Sequence, residues 1–312
     1  MHRPAPSLRS RIGRLSLAGL AFFGFLVGLE LALIHLAQDP LSDTRAYYDA
    51  GARLNAGIPL YDQPASTNEA AFYRYPPLLA ILFRPLALLP YGVAAAAWET
   101  IVVATFALTL YHLGLRRPRT WVLVGLLGLG IGWSLSIGQA QVPVTYLVAL
   151  GTPLSIALAG QIKVLPVLVA VWWIGRGDWP SVRRFVAWSG LLVVLQLVLE
   201  PAGTLAFPGQ FGLAQVGEVR NWSPYAISPW LWAGLVAIGI VVALRLARTR
   251  YGWAAAVALS ILATPRLLLY QLMTLLAAAR EPASTMVPAW VARATLSSIR
   301  AMPGSAAGGG PR

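Results

Sequence analysis

The stretch LSLAGLAFFGFLVGLELALIHL, residues 15–36, is an apolar run with one acidic residue, Glu30. A membrane-spanning helix needs roughly 20 apolar residues, whereas the apolar core of a signal peptide has roughly 7–15. Four arginines precede the run, and basic residues beside a span are typical of the cytoplasmic side of a membrane. We therefore interpret 15–36 as a retained transmembrane helix that follows a basic cytoplasmic N-terminus, residues 1–14.

The rest of the chain has the same apolar character. The whole chain is 57% hydrophobic and 11% charged, whereas a soluble domain is roughly 25% charged. Cysteine is absent, which excludes disulfides, thiolate catalysis and cysteine-ligated zinc, and the three histidines are too scattered for a metal site. The composition predicts a polytopic helical membrane protein.

The net charge of +13 comes from arginine clusters that lie next to apolar runs. Such clusters are typical of short cytoplasmic loops of membrane proteins. No pattern of interleaved aromatic and basic residues accompanies them, so we do not expect nucleic acid to be a partner.

Several later apolar passages contain proline, and two are too long for one straight helix across a hydrocarbon core of about 30 Å. The passages cover 76–115, 120–137, 142–175, 185–199, 226–247 and 253–279, with a polar loop at 200–225. We predict an all-α integral membrane protein with about eight to ten transmembrane helices, some short or broken, over residues 15–279. The tail, 280–312, is predicted to be disordered because it is polar and rich in glycine.

Acidic residues are concentrated in segment 37–74, which we predict to be the first external loop. A helix is expected to begin near Ser42 and to end before Gly57. Tyr47 lies on its apolar face, so the helix is predicted to lie in the membrane interface with its tyrosines at headgroup depth. The alternative is a simple amphipathic connector in which Asp43 stabilises the helix N-terminus.

The order DTRAYYDAGARLNAGIPLYD (43–62) and YRYPPLLAILFRPLALLP (73–90) resembles the N-terminal signature of glycosyltransferase family 87. IGQAQVPV (137–144) resembles the family's Gly-Gln motif, IKVLPVLV (162–169) its Lys-x-x-Pro motif, and NWSPYAIS (221–228) a later Asn-x-Ser loop. The resemblance implies a GT-C-like membrane enzyme that transfers a sugar, often mannose, from a polyprenyl-phosphate donor. It also implies inversion, independence of metals and cofactors, and a lipid or cell-envelope acceptor. We accordingly expect a bacterial cytoplasmic membrane protein with its active site facing outside.

The chemistry of the transfer suggests a role for each matching residue. Asp43 is the predicted general base, although a helix N-terminus lowers a carboxylate's pKa and makes it a weaker base. Lys163, the only lysine, lies in apolar sequence and is predicted to bind the donor phosphate, with snorkelling to the interface as the alternative. The remaining candidates are Arg220 and Arg266 for the phosphate, and Tyr47, Gln139 and Asn221 for the sugar or acceptor.

Two other functions fit the same sequence. A transporter or flippase of lipid-linked sugars would be favoured by inverted repeats and mid-membrane charges, neither of which stands out here. An inactive, truncated relative that only binds lipid or a partner is the second alternative. A donor-dependent transfer assay separates these classes.

Overall fold

The computed structural model describes residues 8–67, 69–213 and 221–280, and over these residues it contains helices and no strand. The first helices are α1 Leu8–Gln38, α2 Ser42–Asn55, α3 Pro77–Phe83, α4 Tyr91–Leu113, α5 Pro118–Leu126, α6 Gly128–Ser136 and α7 Gln141–Leu150. They are followed by α8 Pro153–Ile162, α9 Ala170–Arg176, α10 Trp179–Leu199, α11 Pro201–Leu213, α12 Pro229–Leu246 and α13 Gly252–Leu262. Short 3₁₀ segments lie between some of them, and the 3₁₀ segment Leu269–Ala279 follows α13. The predicted disorder after residue 280 falls outside the described residues.

Within the described part of the chain, four helices are long and apolar enough to cross a membrane: α1, α4, α10 and α12. The pair α5–α6 bends by 70° and makes a fifth candidate if the two helices count as one span. Five shorter apolar segments of 10–17 residues accompany them. The all-α polytopic class is therefore confirmed, while eight to ten crossings would require the shorter segments to cross as well and stay a prediction.

The predicted interruptions of the long passages are confirmed. The passage 142–175 breaks at Gly151, which has a φ of +55°, and restarts at α8 with a capping box formed by Thr152 and Ser155. It breaks again at Lys163, which adopts an extended conformation. The predicted polar loop at 200–225 is wrong in its first half, because residues 201–213 form α11, an apolar helix that contains Pro208.

Helix α1 crosses the bent pair α5–α6 at very close range. A methyl group added at Gly28 would lie 2.1 Å from the carbonyl oxygen of Gly128, and one at Gly24 would lie 2.4 Å from that of Gly125. Glycines allow two backbones to approach this closely, as is common between membrane helices. This crossing fixes the C-terminal end of α1 beside α6, where the candidate site begins.

Helix α2 is present as predicted, but its apolar face packs against protein. Tyr47 is fully buried and contacts the rings of Phe83 and Trp98 edge-on, at centroid distances of 5.4 and 5.8 Å. Tyr47 therefore contacts protein rather than lipid headgroups, and the depth of α2 relative to the membrane stays a prediction. Ser42 does not cap the helix either, since Leu41, in a left-handed conformation, is the N-cap residue.

Candidate active site

Two cavities meet at a shared boundary inside the described residues. The larger, about 560 Å³, is lined by Asp43, and the smaller, about 100 Å³, by Lys163. Both cavities are lined by the boundary residues Arg74, Tyr75, Arg266, Leu268 and Tyr270. The predicted base and the predicted phosphate ligand thus line two adjoining cavities.

Asp43 is positioned by the turn that follows α6. The backbone N–H groups of Leu41 and Asp43 donate to the carbonyl oxygens of Ser136 and Ile137, at 3.1 and 3.2 Å. The first N–H groups of a helix lack partners within the helix, so these two bonds fix the start of α2. Gly138 has a φ of +66°, and a methyl group there would lie 1.9 Å from Thr44 Oγ1, so only glycine fits. The glycine of the Gly-Gln motif therefore sets the distance between the two segments.

Gln139 connects the carboxylate to two tyrosines. Its Nε2 donates a hydrogen bond to Asp43 Oδ2, and its Oε1 accepts from the hydroxyls of Tyr47 and Tyr75 at 2.8 and 3.0 Å. Tyr47 and Gln139 are both fully buried. This geometry favours a role in positioning Asp43 over the predicted contact with a sugar.

Burial changes the acidity of Asp43. The loss of solvent around this carboxyl raises its pKa to about 6, although the positive charges of Lys163, Arg74 and Arg266 oppose the rise. The expected lowering by the helix N-terminus is therefore outweighed. A carboxylate with a pKa close to neutral is a stronger base than an ordinary aspartate and is still ionised at pH 7.

Lys163 lies at the C-cap of α8. Its Nζ donates to Gln141 Oε1 at 2.7 Å and lies 5.3 and 5.0 Å from the ring centres of Tyr75 and Tyr270. Gln141 in turn donates from Nε2 to Thr274 Oγ1 at 2.6 Å. These contacts hold the ammonium group inside the protein, next to the boundary, which disfavours the snorkelling alternative.

Arg266 is 7% exposed and lies on a loop that Asn221 fixes in place. Asn221 donates to the Pro265 carbonyl oxygen at 2.9 Å, and its Oδ1 accepts from the N–H groups of Leu267 and Ser223, both at 2.9 Å. Because the side chain of Asn221 is hydrogen-bonded to three backbone groups, it fixes the conformation of the loop that carries Arg266. Arg220, the other predicted phosphate ligand, lies outside the described residues.

A search of protein-family models matches glycosyltransferase family 87 to residues 72–292, more than half of the chain. The chain belongs to glycosyltransferase family 87. A curated relative, the polyprenol-phosphate-mannose-dependent alpha-(1-2)-phosphatidylinositol pentamannoside mannosyltransferase of Mycolicibacterium smegmatis, is 27% identical over 159 residues. That match covers 45% of this chain and 39% of the relative's length. No solved structure matches the chain, so the predicted GT-C-like arrangement stays a prediction.

The family 87 match begins at residue 72, after Asp43 and Tyr47. The positions of these two residues in the candidate site therefore follow from the contacts of α2 with the Gly-Gln turn. Arg266, Lys163 and Gln139 lie inside the matched range. The site thus combines residues that precede the matched range with residues that lie inside it.

Arg74 belongs to the site and was missed in the sequence. It follows Tyr73 in the YRYPP motif, and it lines both cavities. Burial lowers the pKa of its guanidinium, and the charge of Arg266 adds to that effect. Its Nη1 donates to the Phe72 carbonyl oxygen at 2.9 Å, while its buried Nε makes no hydrogen bond within the described residues. Its place in the YRYPP stretch, which carries the family resemblance, was the signal that could have found it.

No three His, Cys, Asp or Glu side chains form a possible metal site in the described ranges. The predicted independence from metals and cofactors stays a prediction. The charged side chains around the boundary are three carboxylates that line only the larger cavity, Lys163 in the smaller cavity, and two arginines that line both.

Proposed function

We propose that this member of family 87 transfers a sugar from a polyprenyl-phosphate donor to a hydroxyl group of a lipid or cell-envelope acceptor, with inversion. The observation that carries the proposal is the placement of Asp43 and Lys163 in two adjoining cavities that share five lining residues. The acceptor enters the cavity of Asp43, the donor phosphate binds in that of Lys163, and the donor sugar lies between them, where the two cavities meet. Attack from the side opposite the leaving group inverts the anomeric centre.

Asp43 is the proposed general base. It takes the proton of the acceptor hydroxyl while that oxygen forms a bond to the anomeric carbon of the donor sugar. At the same time the bond between the anomeric carbon and the bridging phosphate oxygen breaks, and its electron pair stays on the phosphate. The products are a new glycoside, a protonated Asp43 and a polyprenyl phosphate.

The three cations are the proposed ligands of the leaving phosphate. Lys163, Arg74 and Arg266 line the smaller cavity, which has no carboxylate among its lining residues. The charge of Arg266 contributes to the lowered pKa of Arg74, and two guanidinium groups at close range gain stabilisation when an anion lies between them. They can therefore stabilise the negative charge that develops on the bridging oxygen.

Mannose is the proposed donor sugar, because the curated relative is named as polyprenol-phosphate-mannose-dependent. The proposed location is a bacterial cytoplasmic membrane with the site on the outer side, opposite the arginine clusters. The lipid part of the donor would then stay in the bilayer while its sugar enters the site.

The test uses the full chain in lipid nanodiscs with polyprenyl-phosphate [¹⁴C]mannose and a crude envelope glycolipid fraction. The proposal expects labelled product that requires the donor, with inverted anomeric configuration determined by NMR. Movement of intact donor across a proteoliposome membrane without any new glycoside would instead support the flippase alternative. Binding of donor with neither transfer nor movement would support the inactive-relative alternative.

A further inference from the structure

The larger cavity has an aromatic wall that the transfer chemistry leaves unexplained. His35, from the end of α1, stacks on Trp133 of α6 with ring centres 5.5 Å apart and planes 13° apart. Tyr270 meets Trp133 edge-on at 5.7 Å. All three side chains line the cavity that also contains Asp43. The indole is therefore held in place from two directions before any substrate arrives, which lowers the entropic cost of binding.

The charges of the two cavities differ in sign. Asp39, Asp43 and Glu69 line only the larger cavity, whereas Lys163 lines only the smaller, and Arg74 and Arg266 line both. Carboxylates accept hydrogen bonds from hydroxyl groups and repel phosphates. The larger cavity therefore suits a neutral, hydroxyl-rich molecule, and the smaller one suits an anion.

We propose that Trp133, backed by His35, is the platform for a neutral hexopyranose ring at the reacting end of the acceptor, with Asp39 accepting hydrogen bonds from its hydroxyls. The C–H groups of a sugar ring carry partial positive charge and pack on the negative face of an aromatic ring. A cavity of about 560 Å³ falls within the usual range for small-molecule sites, about 300–1,000 Å³. The inference rests on the proposed function and adds the class of acceptor and the residue that selects it.

The experiment measures initial rates with octyl α-mannopyranoside as acceptor probe and polyprenyl-phosphate mannose as donor. Trp133→Leu is expected to raise the KM for the acceptor about tenfold, because it removes an aromatic contact, and to leave the KM for the donor and inhibition by polyprenyl phosphate unchanged. Trp133→Phe keeps a ring and is expected to restore most of the acceptor affinity. Trp188→Leu is the matched control, since this exposed tryptophan on α10 lies outside both cavities.

A second variant guards against a folding defect in the first. Asp39 is exposed, so Asp39→Ala is not expected to disturb the fold, and it should raise the acceptor KM without changing the donor KM. Equal changes for donor and acceptor, or an unchanged acceptor KM in both variants, would overturn the proposal. Transfer to phosphatidylglycerol in preference to the octyl mannoside would also overturn it.

Binding measured without turnover separates this inference from the proposed function. Calorimetric titration of octyl mannoside is expected to detect a site in the unmodified protein and a weaker one in Trp133→Leu. If no transfer occurs but this binding difference is present, the catalytic proposal fails and the sugar platform stands. If transfer occurs and the titrations are identical, the platform fails and the catalytic proposal stands.

Discussion

Asp43 and Lys163 are held by two glutamines of the same turn, and the difference between their surroundings fits the different roles proposed for them. Gln139 donates to Asp43, and two residues later Gln141 accepts from Lys163. The aspartate lines a cavity of about 560 Å³, whereas the lysine lines one of about 100 Å³. The short QAQ sequence just before and at the start of α7 thus positions Asp43 and Lys163 in two adjoining cavities.

The comparison teaches that the two halves can be changed separately. The aspartate side depends on neutral donors and acceptors from α2, α7 and the YRYPP loop. The lysine side depends on cations from three separate segments around Tyr75 and Tyr270. Variants on one side should therefore change parameters of the acceptor step and leave donor binding alone, and the reverse should hold on the other side.

The largest expected effect comes from Asp43→Asn, which keeps the shape of the side chain and removes the base. A general base contributes about 10²–10⁴-fold, so kcat should fall by that amount with little change in melting temperature. Asp49→Asn, on the same helix, is the matched control, because Asp49 forms an exposed ion pair with Arg45 at 3.1 Å. Near-normal turnover in Asp43→Asn would return this residue to the role of a helix N-terminal charge.

Lys163→Ala should have the next largest effect, mainly on the donor, and the loss of its charge should also raise the pKa of Asp43. The loss of a charge-assisted bond costs up to about 3 kcal/mol, so kcat/KM for the donor should fall up to about 100-fold. Inhibition by free polyprenyl phosphate should weaken in parallel. Lys163→Arg, which keeps the positive charge, should retain part of this inhibition. Arg176→Ala removes an exposed cation that lies outside both cavities and serves as control. An unchanged inhibition constant in Lys163→Ala would contradict the phosphate role.

The two glutamines give the sharpest test of separation. Gln139→Leu should lower kcat about tenfold, because Asp43 loses a hydrogen bond to its charged form, and the donor KM should stay the same. Gln141→Leu should instead raise the donor KM, because Lys163 loses its partner. Steady-state kinetics with each substrate varied in turn measures both. If each variant altered both parameters equally, the two halves would have to be treated as one unit.

The smallest effect is the pH dependence of the unmodified protein. Because the pKa of Asp43 is raised to about 6, the rate at saturating substrate should fall to about half at pH 6 and continue to fall at lower pH. The folded protein binds this proton more tightly than the unfolded chain, so protonation of Asp43 adds stability as the pH decreases through 6. Melting temperatures at pH 7 and 5 therefore provide the control. A rate that is constant down to pH 5 would contradict a base with this pKa.

The sequence was most informative where one residue type has one physical consequence. Apolar length predicted the spans, and proline predicted the interruption of the passage 142–175, because proline acts on its own backbone. An acidic residue in an apolar chain drew attention to Asp43, and a single lysine drew attention to Lys163. Asp43 and Lys163 line the two adjoining cavities of the candidate site.

Partners that are distant in sequence could not be predicted. Gln139 contacts Asp43 across 96 positions, and nothing in either motif indicates the other as a partner. The apolar face of α2 has the same pattern whether it meets lipid or Phe83, so the packing of Tyr47 against protein could not be predicted. Arg74 was missed because its neighbours explained a helix start without it.

The close contact of α1 with α6 at Gly28 and Gly128 has a consequence for the proposed selectivity for acceptors. His35 lies seven residues beyond Gly28, about 10 Å along the helix axis. A single methyl group at Gly28 would force α1 away from Gly128, and the end of the helix would move with it. The distance between His35 and the rest of the larger cavity is thus set by helix contacts two turns earlier in α1. Substitutions at this glycine contact would therefore change the width of the larger cavity without changing any residue that touches a substrate.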